Sequence, residues 1–273
     1  MSSINGLALS LIDDAAVFPP GNAPLVDAIT LYYNRYETHQ QDIVGPLLVP
    51  ASAVETLRTF ADPVRMLDIA IIGDTGLEGL VAARDALEHD TWITVQHVEL
   101  RVPSNGTLSE SVHNLLDSLA FTVPTYVELP VAEAPSGLAV LADDGAERAK
   151  FRTGPYEVPS PEQLAAAIGA AVRLRVPFKL TGGLHHALPT HDETSDQLHH
   201  GLLNVLAATA AAIAGAGDPE LARLLESQDA DQLLTQLRIV DAGLIRRHFK
   251  SFGSCSIDEP YQELVRYGVV EKS

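Results

Sequence analysis

The stretch AKFRTGPYEVPSPEQLAAAIGAAVRLRVPFKLTGGLHH, from Ala149 to His186, reads as strand, loop, helix, strand. AKFRTG (149–154) is short and ends on a turn glycine. SPEQ (160–163) has the form of a capping box: the serine hydroxyl accepts from a backbone amide three residues on, and the glutamine reaches back. The alanine-rich run after it suits a buried helix. PFKLTGG (177–183) is a second strand, again ending in glycine. Two strands joined through a helix lie parallel, because a tight hairpin is the connection that antiparallel neighbours use. One β-α-β unit is therefore on the page, with Lys150 and Lys179 at matching points of its two strands.

The same alternation extends in both directions. Strands are expected at 7–13, 45–50, 66–73, 92–102 and 125–131, before those at 149–154 and 177–183. Helices are expected at 24–38, from Ala53, up to Leu87, and at 108–120 and 135–143. A long, mostly helical insertion runs from Leu198 to about Gln236. The eighth strand is either LRIVD (237–241) or FKSFG (249–253), and DEPYQELVRYG forms a closing helix. Eight such units predict one α/β domain over 1–273, a single (β/α)8 TIM-type barrel with a helical insertion between strands 7 and 8. An open doubly wound sheet would carry a glycine-rich loop after its first strand. The loop here, DDAAVFPPGNAP, has no GxGxxG.

The chain has 273 residues, 46% of them hydrophobic, enough for a substantial core, and a formal net charge of −18. That charge argues against nucleic acid, which needs clustered Lys and Arg, and against an anionic membrane surface. Cys255 is the single cysteine, so no intrachain disulfide forms. MSSINGLALSLIDDAAV lacks a basic start and is interrupted by Asp13 and Asp14, so it is not read as a signal peptide. The apolar run near Val205–Ala216 is too short for a membrane span and reads as a buried helix. A cytoplasmic protein is expected, with a small-molecule substrate as partner, no cofactor, and room for further copies of itself.

Barrel strands are ordinarily filled with Val, Ile and Leu. Several of these instead carry charges on one parity: His97, Glu99 and Arg101; Glu128; Lys150 and Arg152; Lys179 and Thr181; with Asp13 ending the first. All lie toward carboxyl ends, where barrels build active sites. The alternative is that they face outward or form structural ion pairs. Two ammonium groups on adjacent strands, about 5–6 Å apart in an effective dielectric of about 20, repel by roughly 3 kcal/mol. Such a neighbour lowers a lysine's pKa, and a neutral lysine is a nucleophile. Arg152 adds to that field.

These residues resemble the deoxyribose-phosphate aldolase group of class I aldolases, (β/α)8 barrels that form a Schiff base on lysine. LIDDAAVFPP is similar to that group's Leu-Ile-Asp-His-Thr, Lys150-Phe-Arg-Thr-Gly to its Lys-Thr-Ser-Thr-Gly, Lys179-Leu-Thr-Gly-Gly to its Lys-Ala-Ser-Gly-Gly, and FGSCS to its Phe-Gly-Ala-Ser-Ser. The resemblance implies Lys150 as the Schiff-base residue, with Lys179 lowering its pKa. It implies a proton-moving role for Asp13 or Glu99, and a phosphate site at Gly182, Gly183, Ser254 and Ser256. Phe151 and Arg152 depart from the pattern, as does the fourth strand, where Glu99 or Arg101 stands in place of an aspartate. Arg101, Glu128, Arg152, Thr181, His185 and His186 are candidates for binding substrate. Asp258 and Glu259 could instead satisfy the last helix's amides as ordinary first-turn acids.

HHALPTHDETSDQLHH holds His185, His186, His191, His199 and His200 with Asp192. Imidazoles and carboxylates at this density can bind a divalent ion, although no fixed ligand spacing appears. Three functions stand: a Schiff-base lyase acting on a small, anionic carbonyl compound, a metal-dependent barrel enzyme, and an anion-binding barrel without catalysis.

Overall fold

The computed structural model describes residues 4–154, 158–191 and 198–270. Its elements run β1 (Ile12–Asp14), α1 (Leu25–Arg35), β2 (Val44–Pro50), α2 (Val54–Phe60), β3 (Leu67–Ile72), α3 (Gly76–Ala86), β4 (Ile93–Arg101), α4 (Leu108–Leu116), β5 (Thr125–Leu129), α5 (Ala134–Asp144), β6 (Arg148–Arg152), α6 (Pro161–Leu174) and β7 (Phe178–Thr181). A two-residue ribbon follows, β8 (Thr190–His191) with β9 (Leu198–His199), then α7 (Leu202–Ile213), α8 (Asp218–Glu226), α9 (Ala230–Leu237), α10 (Ala242–His248), β10 (Phe249–Ser254) and α11 (Asp258–Arg266). Strands β1 to β7 and then β10 close a barrel, each parallel to its neighbours. The chain is a (β/α)8 barrel, with the helical insertion between β7 and β10.

Two strand expectations need correction. The first strand is three residues, not 7–13: residues 4–7 form a 3-10 turn, Leu9 is exposed, and Ser10 has φ +46°, which no strand accommodates. The eighth barrel strand is the 249–253 alternative. LRIVD ends α9 and turns: Ile239 is exposed, and Asp241 caps α10 by accepting from the Gly243 amide at 2.8 Å. The capping box at Ser160 and Gln163 forms as read. α7 is buried along most of its length and packs on α6, α8 and α9. Among the described residues no helix is long and apolar enough to cross a membrane.

Strand parity divides the barrel into two chemistries. Outward side chains are mostly apolar and meet the helices: Phe151, Phe178 and Phe249 line up with ring centroids 5.7 and 5.5 Å apart. Phe151, one departure from the aldolase pattern, is thus a core residue. Inward, β2 and β3 are apolar, with Ala15, just past β1, packed with Leu48 and Ala70 against Phe18 and Ile72. The β4–β7 side, with Asp13 of β1, is ionic. Buried charge is costly unless it is paired, so the arrangement of these groups decides what the barrel holds.

Candidate active site

Lys150 and Lys179 are direct register partners on β6 and β7, yet their ammonium groups do not face each other bare. Glu99 stands between them, with Oε1 at 2.5 Å from Lys179 Nζ and Oε2 at 2.6 Å from Lys150 Nζ. Beyond Lys179 lies Asp13, which pairs with it and accepts from Ser251 Oγ at 2.8 Å. Beyond Lys150 lies Glu128, 2.8 Å away, and beyond that Arg152, which donates to both Glu128 oxygens at 3.1 and 3.2 Å. The result is one chain of alternating sign: Asp13, Lys179, Glu99, Lys150, Glu128, Arg152. Three acids meet three bases, which is how so much charge survives inside a barrel.

This corrects the repulsion between lysines that the sequence suggests. Burial opposes the charge on Lys179, but Asp13 and Glu99 overcome it and hold the ammonium above the ordinary lysine range. Burial likewise opposes Glu99, and Lys150 and Lys179 outweigh it, keeping its carboxyl well below the ordinary range. Glu128 is lowered too, against burial, by Lys150 and Arg152. His97 lies on the same face of β4, with Nε2 3.0 Å from Glu99 Oε1. Burial and then the Lys179 charge push its pKa down, so the imidazole is neutral near pH 7.

The two lysines differ in access. Lys150 lines a cleft of about 960 Å³ at the carboxyl ends of the strands, together with Glu99 and Arg152. Lys179 is fully buried beneath it, and Asp13 opens only toward the opposite end. One wall of the cleft comes from Thr181, Gly182 and Gly183, and the adjoining wall from Gly253 and Ser256. The Gly182 amide is 3.4 Å from the Gly253 carbonyl, so the two segments expected to hold a phosphate are side by side. Ser256 lines the cleft, whereas Ser254 is buried and its hydroxyl donates to the Ser256 carbonyl at 2.6 Å. Gly182 is required where it stands: its φ is +79°, and a Cβ would lie 2.1 Å from the Gly154 carbonyl oxygen. The β6 and β7 loops thus touch backbone to backbone, and Thr153 Oγ1 ties them by donating to the Gly182 carbonyl at 2.6 Å.

The remaining sequence candidates fall on both sides of the cleft boundary. Arg152, Thr181, His185 and His186 line it. Glu128 is buried beneath and acts on Lys150 and Arg152, not on the cleft. Arg101, the last residue of β4, is exposed and borders a separate hollow beside α4, with Leu100 and Pro103. His191 and His199 reach the cleft from the ribbon β8–β9. His200 turns away and is structural, its Nε2 2.9 Å from the Pro159 carbonyl oxygen. Asp192 lies outside the described residues. Among those described, the histidines of this stretch form no three-ligand group. Such a group does form at Asp13, His97 and Glu99, but the Lys179 ammonium sits against all three. A resident cation already occupies the place.

Some lining residues were not singled out from the sequence. Phe18, Pro19 and Pro20, from the first loop, and Leu48 and Ile72 form the apolar wall. Parity on β2 and β3 could have placed the last two inside. Cys255 faces His185, with Sγ 3.7 Å from Nε2, and Glu259 holds the other ring nitrogen at 2.8 Å. Burial and then the Glu259 charge raise the thiol pKa. No sequence motif announces this trio, because His185 lies 70 and 74 residues before Cys255 and Glu259.

No family model matches the chain, and no curated protein does. Among solved structures, one similar chain is described as "a putative deoxyribose-phosphate aldolase from Toxoplasma gondii ME49", with 11% identity, 98% of this chain and 96% of that chain covered, and a TM-score of 0.44. A likeness of that size carries no argument about chemistry; the barrel rests on the strand pairing itself.

Proposed function

We propose that this chain is a Schiff-base-forming lyase of the aldolase kind, acting on a small anionic carbonyl compound, with Lys150 as nucleophile. The observation that carries this reading is the difference between the lysines: Lys150 opens on the cleft between two carboxylates, and Lys179 is sealed below. An amine must lose its proton before it attacks. Glu99 and Glu128, at 2.6 and 2.8 Å, are the acceptors in reach. The neutral amine adds to the carbonyl carbon, and the oxygen takes up a proton. Loss of water then leaves an iminium. That cation draws in the electron pair, becoming an enamine, when the bond between its α and β carbons breaks, while the β-carbon's hydroxyl gives up its proton and becomes a carbonyl. The enamine then takes up a proton at carbon, and water releases the product and restores the amine. Arg152 and the walls at Gly182–Gly183 and Ser256 suit an anionic group on the substrate.

The complete pairing of the six charges also fits an anion-binding barrel that does no chemistry. Borohydride separates the two. Incubation with a panel of phosphorylated and carboxylated aldehydes and ketones, followed by reduction, is expected to give a covalent adduct with at least one member. Reversible binding of such compounds with no trapped adduct would favour the binding protein.

A further inference from the structure

The barrel has a second cavity at its other end, where the strands begin. It measures about 300 Å³ and is bordered by Arg148, Lys250, Gln96, Asp68 and Tyr126. Its inner wall is the underside of the ionic chain, reached through Asp13 and His97. Charge is distributed unexpectedly here. The whole chain has 36 acidic and 18 basic residues, so a cation should find a carboxylate easily, and those of the catalytic chain all do. At the basal end Arg148, Arg246, Arg247 and Lys250 form no ion pair among the described residues. Arg148 donates to the Tyr126 hydroxyl at 3.0 Å. Arg246 donates to the carbonyls of Phe249, Leu9 and Ser10 at 3.0, 2.8 and 3.3 Å. Lys250 is half-buried and has no hydrogen-bond partner among the described residues. Arg148 borders the same cavity, and burial, then the Arg148, Arg246 and Arg247 charges, lower the Lys250 pKa.

The nearby acids, two of them on the cavity wall, form no ion pair with these cations. Asp13 holds Lys179. Asp68 accepts from Gln96 Nε2 at 3.0 Å. Glu147 accepts from the Thr125 amide at 2.7 Å. Cations gathered without an ion pair at the mouth of a polar cavity cost stability that a bound anion would recover.

We infer that this basal cavity is a second ligand site, separate from the cleft, which takes a compact oxyanion, a phosphate or carboxylate group held between Lys250 and Arg148. Arg148 keeps guanidinium donors beyond the one given to Tyr126, and Lys250 supplies a point charge. The site stands whether or not Lys150 forms a Schiff base.

The test is calorimetric titration of the full chain with inorganic phosphate and with malonate, repeated on variants. Wild type is expected to bind at least one of them saturably. Lys250→Gln should weaken that binding about tenfold or more, the loss of a charged hydrogen bond, and Lys250→Arg should keep it. Gln96→Glu, which adds a negative charge at the mouth and leaves both cations intact, should weaken it as well and covers the case in which Lys250→Gln does not fold. Arg152→Gln, in the upper cleft, should leave a saturable site. Binding unchanged in Lys250→Gln and Gln96→Glu, binding abolished by Arg152→Gln alone, or no saturable binding of either anion would overturn the site.

Discussion

Glu99 is the residue on which the site turns, because each of its oxygens serves a different lysine. On the proposed function the cleft's selectivity falls to Arg152, which gives two bonds to Glu128 and also lines the cleft. Arg152→Ala is expected to raise KM for an anionic carbonyl compound by about tenfold or more, the loss of a charge-assisted bond, and to change KM for a neutral analogue much less. Equal changes would remove Arg152 from substrate binding. His97 gives a second prediction through pH. Its folded pKa lies below the ordinary histidine value of 6.5, so as pH falls below that value the unfolded chain gains a proton that the folded chain refuses. Stability then drops toward acid. His97→Gln removes that proton, and its melting temperature should fall less than the wild type's between about pH 7 and about pH 5. A slope equal to the wild type's would mean that His97 is charged in the fold. Parity exposed the charges of β4 to β7 in the sequence. Their pairing was not legible, since a register says which residues are neighbours but not where long side chains end.

At the scale of elements, the β6 and β7 loops meet through glycine. Gly182→Ala puts a side chain in the left-handed region, a cost of about 1–2 kcal/mol, and pushes a Cβ against the Gly154 carbonyl. Urea unfolding should show a loss of at least that size; an unchanged midpoint would mean that the loops part freely. The same elements show why the fold was readable. A period of two in β4, β6 and β7 and the capping box of α6 each arise from local chemistry, so they survive as sequence patterns. The misread elements are those decided by distant contacts. Residues 7–11 have a strand's composition, but Ser10 turns at φ +46° and donates its amide to the Asp42 carbonyl at 2.7 Å. LRIVD has β-branched residues, but it lies between α9 and α10, two helices that leave it no strand to pair with.

For the molecule as a whole, the ionic chain replaces the aliphatic layers that ordinarily fill such a barrel, and this makes stability and chemistry share the same residues. Glu99 and Glu128 have lowered pKa values. Their contribution is fully present above the ordinary glutamate value of 4.5 and is lost as pH falls through the folded values. Lys179 behaves oppositely: its contribution holds below 10.5 and is lost as pH rises through its raised folded value. Lys179→Met would leave Asp13 and Glu99 without the cation that both face. Removing one partner from a buried ionic group costs about 3–5 kcal/mol, so a large drop in the urea midpoint is expected; a stable variant with a shifted pH optimum would return Lys179 to the role of a mere field on Lys150. The central claim is that Lys150 alone is the nucleophile. Reduction with borohydride in the presence of a reactive carbonyl compound, then peptide mapping by mass spectrometry, reads this directly: the account predicts an adduct on Lys150 that disappears in Lys150→Met, and an adduct on Lys179, or one that persists in Lys150→Met, would contradict it.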